Sequence, residues 1–79
     1  MLKIVSLLLA LALSLAAAVN VNTASKDELQ TLSGVGPVTA ERIVEYREQN
    51  GGFETLDELV NVRGIGSNTL AQLKDDIEL

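Results

Sequence analysis

The feature that most limits what this chain can fold into is that it repeats itself at a spacing of 30 residues. Leu32-Ser33-Gly34-Val35-Gly36 and Val62-Arg63-Gly64-Ile65-Gly66 share one pattern of apolar and glycine positions. The match extends past the glycines: Asp27-Glu28-Leu29 aligns with Asp57-Glu58-Leu59, Thr39 with Thr69, and Ile43 with Leu73. A repeat this regular implies two copies of one supersecondary unit. Two copies are too few for a solenoid, so a compact pair about a pseudo-two-fold axis is expected.

Each copy reads as a short helix, a turn too tight for ordinary residues, and a second helix. Ser25, with Glu28 three residues on, predicts a capping box at the start of the first helix, and Thr55 with Glu58 predicts the same for the third. Pro37 stands where a missing N–H does no harm, in the first turn of the longest helix, which should run to about Asn50 and stop at Gly51-Gly52. Apolar residues continue along it through Val38, Ala40, Ile43 and Val44. Leu56, Leu59, Val60 and Val62 should form the buried side of the third helix, and Leu70, Leu73 and Ile77 that of the last. Phe53, the sole Phe, reads as a core plug between the halves. Val19 to Ala24 reads as a short extended lead-in, with Val21 against the core and Asn22 or Thr23 tying off a backbone group. The acidic end Asp75, Asp76 and Glu78 suits a helix C-terminus badly and should fray. No strand pattern is evident, and the expected class is all-α, a compact bundle of four to five short helices.

Of the 79 residues, those from 1 to 18 read as a signal peptide: Lys3, an apolar run from Ile4 to Leu15, then Ala16-Ala17-Ala18 with small side chains at the positions a signal peptidase reads. Cleavage is expected after Ala18, leaving 19–79 as an exported domain. The other reading, an uncleaved anchor, meets an apolar run shorter than the ~20 residues that cross a bilayer, so no stable span is expected after cleavage. Residues 19–79 carry Lys26, Arg42, Arg47, Arg63 and Lys74 against all eleven carboxylates of the chain, a net charge of −6. Binding to a polyanion must then be local, against the general field. The chain has no His and no Cys, which removes the commonest general base, the thiolate nucleophile and most zinc sites. No enzyme activity, cofactor or metal is expected. Glu41, Glu45 and Glu48 share one side of the long helix and read as a solvated face rather than a cation site.

The two turns carry the chemistry that remains. Glycines there let a ligand approach the backbone, and the helix that follows begins with unpaired N–H groups. Such a turn can cradle phosphate. The candidate groups are the backbone of Gly34, Gly36, Gly64 and Gly66, the amides of Val38 and Ser67, and the hydroxyls of Thr39 and Thr69. Backbone N–H contacts position a protein on nucleic acid and read no sequence. The alternative is that the glycines serve only close packing of helices.

L-x-G-V-G-x-x-x-A-x-x-I and V-x-G-I-G-x-x-T-L-x-x-L resemble helix-hairpin-helix motifs. The lead-in Val19-Asn20-Val21-Asn22-Thr23-Ala24-Ser25 and the run from Ile43 to Phe53 resemble the corresponding segments of the ComEA family. The likeness covers 19–79. It implies a tandem helix-hairpin-helix domain that binds double-stranded DNA through its phosphate backbone outside the cytoplasmic membrane and supports DNA uptake in natural transformation, with uptake-machinery proteins as further partners. A short form with a signal peptide looks like the periplasmic type; the membrane-anchored type has an additional domain. By that likeness Gly34, Val35, Gly36, Gly64, Ile65 and Gly66 form the DNA-facing turns and Arg63 is the basic residue before the second; Val38, Thr39, Ser67, Asn68, Thr69 and Lys74 complete the expected DNA-binding residues. Related proteins often carry lysines after Gly-x-Gly, where this chain has Pro37-Val38-Thr39 and Ser67-Asn68. The second turn should therefore matter more, with ~2–4 phosphate contacts and a shallow salt dependence. A protein-interaction module of the cell envelope or a secretion system, acidic and with little DNA affinity, is the other reading.

Overall fold

Ser25 opens the first helix as its sequence requires: its hydroxyl accepts the Glu28 N–H (3.1 Å), and the Glu28 carboxylate accepts the Ser25 N–H (3.3 Å), so two helix-end donors are satisfied reciprocally. The computed structural model describes residues 18–79; the expected signal peptide lies outside the described residues apart from Ala18. In chain order the elements are β1 (Val19–Asn20), α1 (Lys26–Leu29), α2 (Pro37–Asn50), a 3-10 helix (Leu56–Asn61), α3 (Ser67–Leu73), a 3-10 turn (Lys74–Asp76) and β2 (Ile77–Glu78). Pro37 occupies the first turn of α2, and Gly51 ends it in the left-handed conformation at φ 75°, as expected.

The repeat is reproduced in the core. Leu29 and Leu59, Leu32 and Val62, Val35 and Ile65, Ala40 and Leu70, and Ile43 and Leu73 are all buried, each pair 30 residues apart. Equivalent positions fill equivalent places, which is what two copies of one helix–turn–helix unit facing each other demand. Among the described residues no polar or charged side chain is buried, so cohesion rests on apolar contact. Phe53 completes the core between the halves and stacks on Tyr46, with centroids 4.8 Å apart and planes at 16°. Asn22 holds it there: its side chain accepts the Phe53 N–H (2.6 Å) and donates to the Phe53 carbonyl (3.1 Å).

Several local expectations give way. The third helix is 3-10 rather than α, and Thr55 makes no side-chain cap. Glu58, expected to complete that cap, instead accepts the Glu54 N–H (3.0 Å) and the Tyr46 hydroxyl (3.1 Å). With about three residues per turn, Leu56, Leu59 and Val62 share an edge, and Val60 is rotated out to 43% exposure. Val38, expected on the apolar face of α2, is 57% exposed. The chain end does not fray from a helix: Ile77 is buried in β2, which pairs in parallel with β1 in the register Val19↔Ile77 and Asn20↔Glu78. The Val21 N–H extends this pairing to the Glu78 carbonyl (2.9 Å). Two-residue strands are too short to show an alternating pattern, and their pairing joins segments at opposite ends of the domain.

Candidate nucleic-acid interface

The two turns are built alike. The Val35 N–H donates to the Leu32 carbonyl (3.1 Å) and the Ile65 N–H to the Val62 carbonyl (3.0 Å). Within these four-residue turns Gly34 (φ 81°) and Gly64 (φ 103°) take positive φ, at the position where a type II turn calls for glycine. Val35 and Ile65, expected among the DNA-facing residues, are instead buried; their side chains anchor the turns from within. Ala40 and Leu70 then donate to the Gly36 and Gly66 carbonyls, both at 2.9 Å, and the next helix begins.

The packing between the turns sets the geometry of the site. A methyl group on Gly64 would lie 3.0 Å from Thr39 Oγ1, and one on Gly34 would lie 3.5 Å from Thr69 Cγ2. Each motif's threonine thus rests on the other motif's glycine. This reciprocal contact is the mark of a pseudo-two-fold pair, and it puts the turns side by side. Thr39 and Thr69 are half-buried in this contact as well as being candidate hydroxyl donors. Close packing at 3.0 Å adds to the positive φ in requiring glycine at position 64, whereas at Gly34 the 3.5 Å contact is ordinary and the positive φ alone calls for glycine.

Gly36 and Gly66 are different. Their backbones are extended (φ −91° and −97°), conformations open to any residue, and a methyl group on either would meet nothing within 4 Å. Each stands at a helix start with no side-chain cap. Among the described residues no protein acceptor takes the amides of Gly36, Val38 and Thr39, or of Gly66, Ser67, Asn68 and Thr69. The residues that carry these donors are exposed or half-buried, so both turns hold N–H groups that the protein leaves unpaired at its surface.

The cations are placed unevenly. Lys26 pairs with Glu41 (3.6 Å) and Lys74 with Asp57 (3.3 Å). Arg47 donates to the Val21 carbonyl (3.2 Å), at the end of α2 remote from the turns. Lys74, included among the expected DNA-facing residues, is not brought to the turns: eight residues beyond Gly66, it lies roughly 12 Å along the axis at ~1.5 Å per residue. Arg63 is exposed on the second turn, and its side chain has no hydrogen-bond or ion-pair partner among the described residues. Sequence reasoning missed Arg42. It belongs to α2, in the first motif, yet its Nη1 donates to the Arg63 carbonyl (3.3 Å) and stands 3.7 Å from where a Gly64 methyl would be. The one available signal was its place three residues after Thr39, on the same face of the helix.

Two helix–turn–helix units related by a pseudo-two-fold, with buried apolar plugs and outward-facing amides, define a tandem hairpin module. The helix-hairpin-helix motif model matches residues 15–78, and the chain belongs to that family. It is 49% identical over 61 residues to ComE operon protein 1 of Bacillus subtilis, covering 77% of this chain and 30% of that protein. It is 48% identical over 58 residues to the human endonuclease/exonuclease/phosphatase family domain-containing protein 1, covering 73% of this chain and 10% of that one. An uncharacterized protein of Haemophilus influenzae is 46% identical over 59 residues, covering 73% of this chain and 53% of that protein. The chain thus spans from about a tenth to about half of the length of these relatives. The expected likeness to ComEA is matched by the first of them.

Proposed function

We propose that this chain is a non-catalytic module that binds double-stranded DNA through its phosphates without sequence preference, and that it holds incoming DNA outside the cytoplasmic membrane during uptake. The observation that carries this reading is the reciprocal seating of Thr39 on Gly64 and Thr69 on Gly34. It sets two rows of unpaired amides next to each other, so that one row can meet each strand of a duplex. Backbone donors and threonine hydroxyls fix register on phosphates and leave base edges unread. The similarity to ComE operon protein 1 supports a role in competence, and the signal-like residues 1–18 support a periplasmic location with uptake proteins nearby. The deciding experiment titrates the mature domain against labelled duplexes of unrelated sequence at low and moderate salt. Similar affinities across sequences, falling as salt rises, are expected; no binding at tens of micromolar protein in low salt refutes the reading. The acidic surface and the exposed Val38 beside the first turn favour a protein partner instead, and amide-exchange protection of the turns by DNA or by such a protein separates the two.

A further inference from the structure

We infer that Arg42 is a phosphate-binding residue of the second turn, supplied across the pseudo-two-fold by the first motif. This inference rests on the DNA-binding reading above and adds to it which residue carries charge to the site. Arg42 is one turn of α2 beyond Thr39, and Thr39 is the residue packed on Gly64. The same packing carries the Arg42 guanidinium to that turn. One nitrogen, Nη1, donates to the Arg63 carbonyl at 3.3 Å in an exposed setting. A guanidinium has five N–H donors in a rigid fork, so most of them remain for another acceptor. Its anchored end beside Gly64 directs them where the Arg63 side chain and the turn amides also face solvent.

The pseudo-symmetry makes the assignment sharper. Thirty residues on, the counterpart of Arg42 is Gln72, and thirty residues before Arg63 stands Ser33. The second turn therefore collects two arginines, one from each motif, while the positions equivalent to them at the first turn are uncharged. Lys26 and Lys74 are each paired with a carboxylate, and Arg47 is tied to the Val21 carbonyl. The positive charge free to meet a phosphate is concentrated on one of two otherwise similar turns, and half of it comes from the opposite motif.

The test compares salt dependence of duplex binding for the wild type, Arg42→Gln, Arg47→Gln and Gln72→Arg. Each phosphate contact contributes about 0.9 to the slope of log K against log salt, or about eightfold in affinity near ~0.1 M salt. Arg42→Gln is expected to flatten the slope by about 0.9 and to weaken binding equally for all sequences. Arg47→Gln makes the same change in net charge on the same helix and is expected to keep the wild-type slope. Gln72→Arg, at an exposed position, places the missing arginine beside the first turn and is expected to steepen the slope by about 0.9. That gain cannot come from a damaged fold. An Arg42→Gln slope equal to the wild type, or an equal loss in Arg47→Gln, overturns the assignment. Failure of the wild type to bind any duplex removes the DNA reading and this inference together, a result distinct from the other two.

Discussion

Gly66→Ser separates what holds the second turn together from what the turn does. Gly66 is extended, at φ −97° and ψ 180°, and a side chain there meets nothing within 4 Å, so serine fits without strain. Serine at such a helix start accepts an amide from the second or third helical residue, here Asn68 or Thr69. The gain over glycine is a few tenths of a kcal/mol. At roughly 4–8 °C per kcal/mol for a domain of this size, the midpoint of thermal unfolding should rise by about 1–3 °C. DNA binding should move the other way, because the new hydroxyl takes an amide offered to phosphate and fills the space through which phosphate approaches. A hydrogen bond to a charged group is worth about 1.5–3 kcal/mol net, so affinity should fall at least roughly tenfold. The assay is a calorimetric or circular-dichroism melt beside a fluorescence titration with a labelled duplex. Gly36→Ser should act in the same direction with a smaller loss, since no arginine flanks that turn. A Gly66→Ser protein that is as stable as the wild type and binds DNA equally well refutes the claim that these amides receive phosphate.

Three further outcomes are expected. Arg63→Glu should weaken DNA binding more than Lys26→Glu, because Arg63 is unpaired on the turn whereas Lys26 faces Glu41 at 3.6 Å; equal losses in the two titrations would indicate a dependence on net charge alone. Gly64→Ala should lower stability by about 1–3 kcal/mol, the range for a residue forced into a sparsely populated backbone region, with an added contact 3.0 Å from Thr39 Oγ1; a denaturant titration should show it less stable than Gly36→Ala, whose site is open and extended. Asn22→Ala removes both hydrogen bonds to the Phe53 backbone and should lower stability by about 1–3 kcal/mol, the usual effect of orphaning a buried polar group, with fluorescence of the adjacent Tyr46 as a local readout.

The repeat made most of this architecture readable in advance. Its buried positions recur at helical spacing in both copies, so the core pairs from Leu29 and Leu59 to Ile43 and Leu73 follow from alignment of the chain with itself. The capping box at Ser25 and the glycine stop after Asn50 were equally local signals. What sequence did not reveal lay in contacts between segments. Glu58 was expected to cap its own helix, yet Tyr46 and Glu54 claim its two oxygens, and that competition is invisible within a window around Thr55. Val60 turned outward because the helix tightened to 3-10 geometry, a change that apolar spacing over six residues cannot signal. Arg42 reached the site through packing of one motif on the other, 21 residues from Arg63 in sequence. Lys74 is the converse case: its charge suggested a contact, but its position at the far end of α3 and its pairing with Asp57 direct it elsewhere.

An acidic domain can bind a polyanion only if its repulsion acts over a longer distance than its attraction. Glu45 and Glu48 follow Gly36 by nine and twelve residues along α2, roughly 13–18 Å at ~1.5 Å per residue. The Debye length is about 10 Å at 0.1 M salt and about 30 Å at 0.01 M. Near 0.1 M these carboxylates are largely screened from a phosphate at the turns, while Arg63, Arg42 and the amides act at contact distance. Near 0.01 M the same carboxylates, with net charge −6 over residues 19–79, oppose the approach of DNA. The plot of log K against log salt should therefore be straight at moderate salt and bend toward a plateau at the lowest concentrations, and Glu45→Gln/Glu48→Gln should straighten it without changing the slope at moderate salt. A wild-type plot that stays linear down to about 0.01 M would show that the glutamate face is not felt at the turns. The separation of charge along α2 would then have no part in how an acidic chain tolerates DNA.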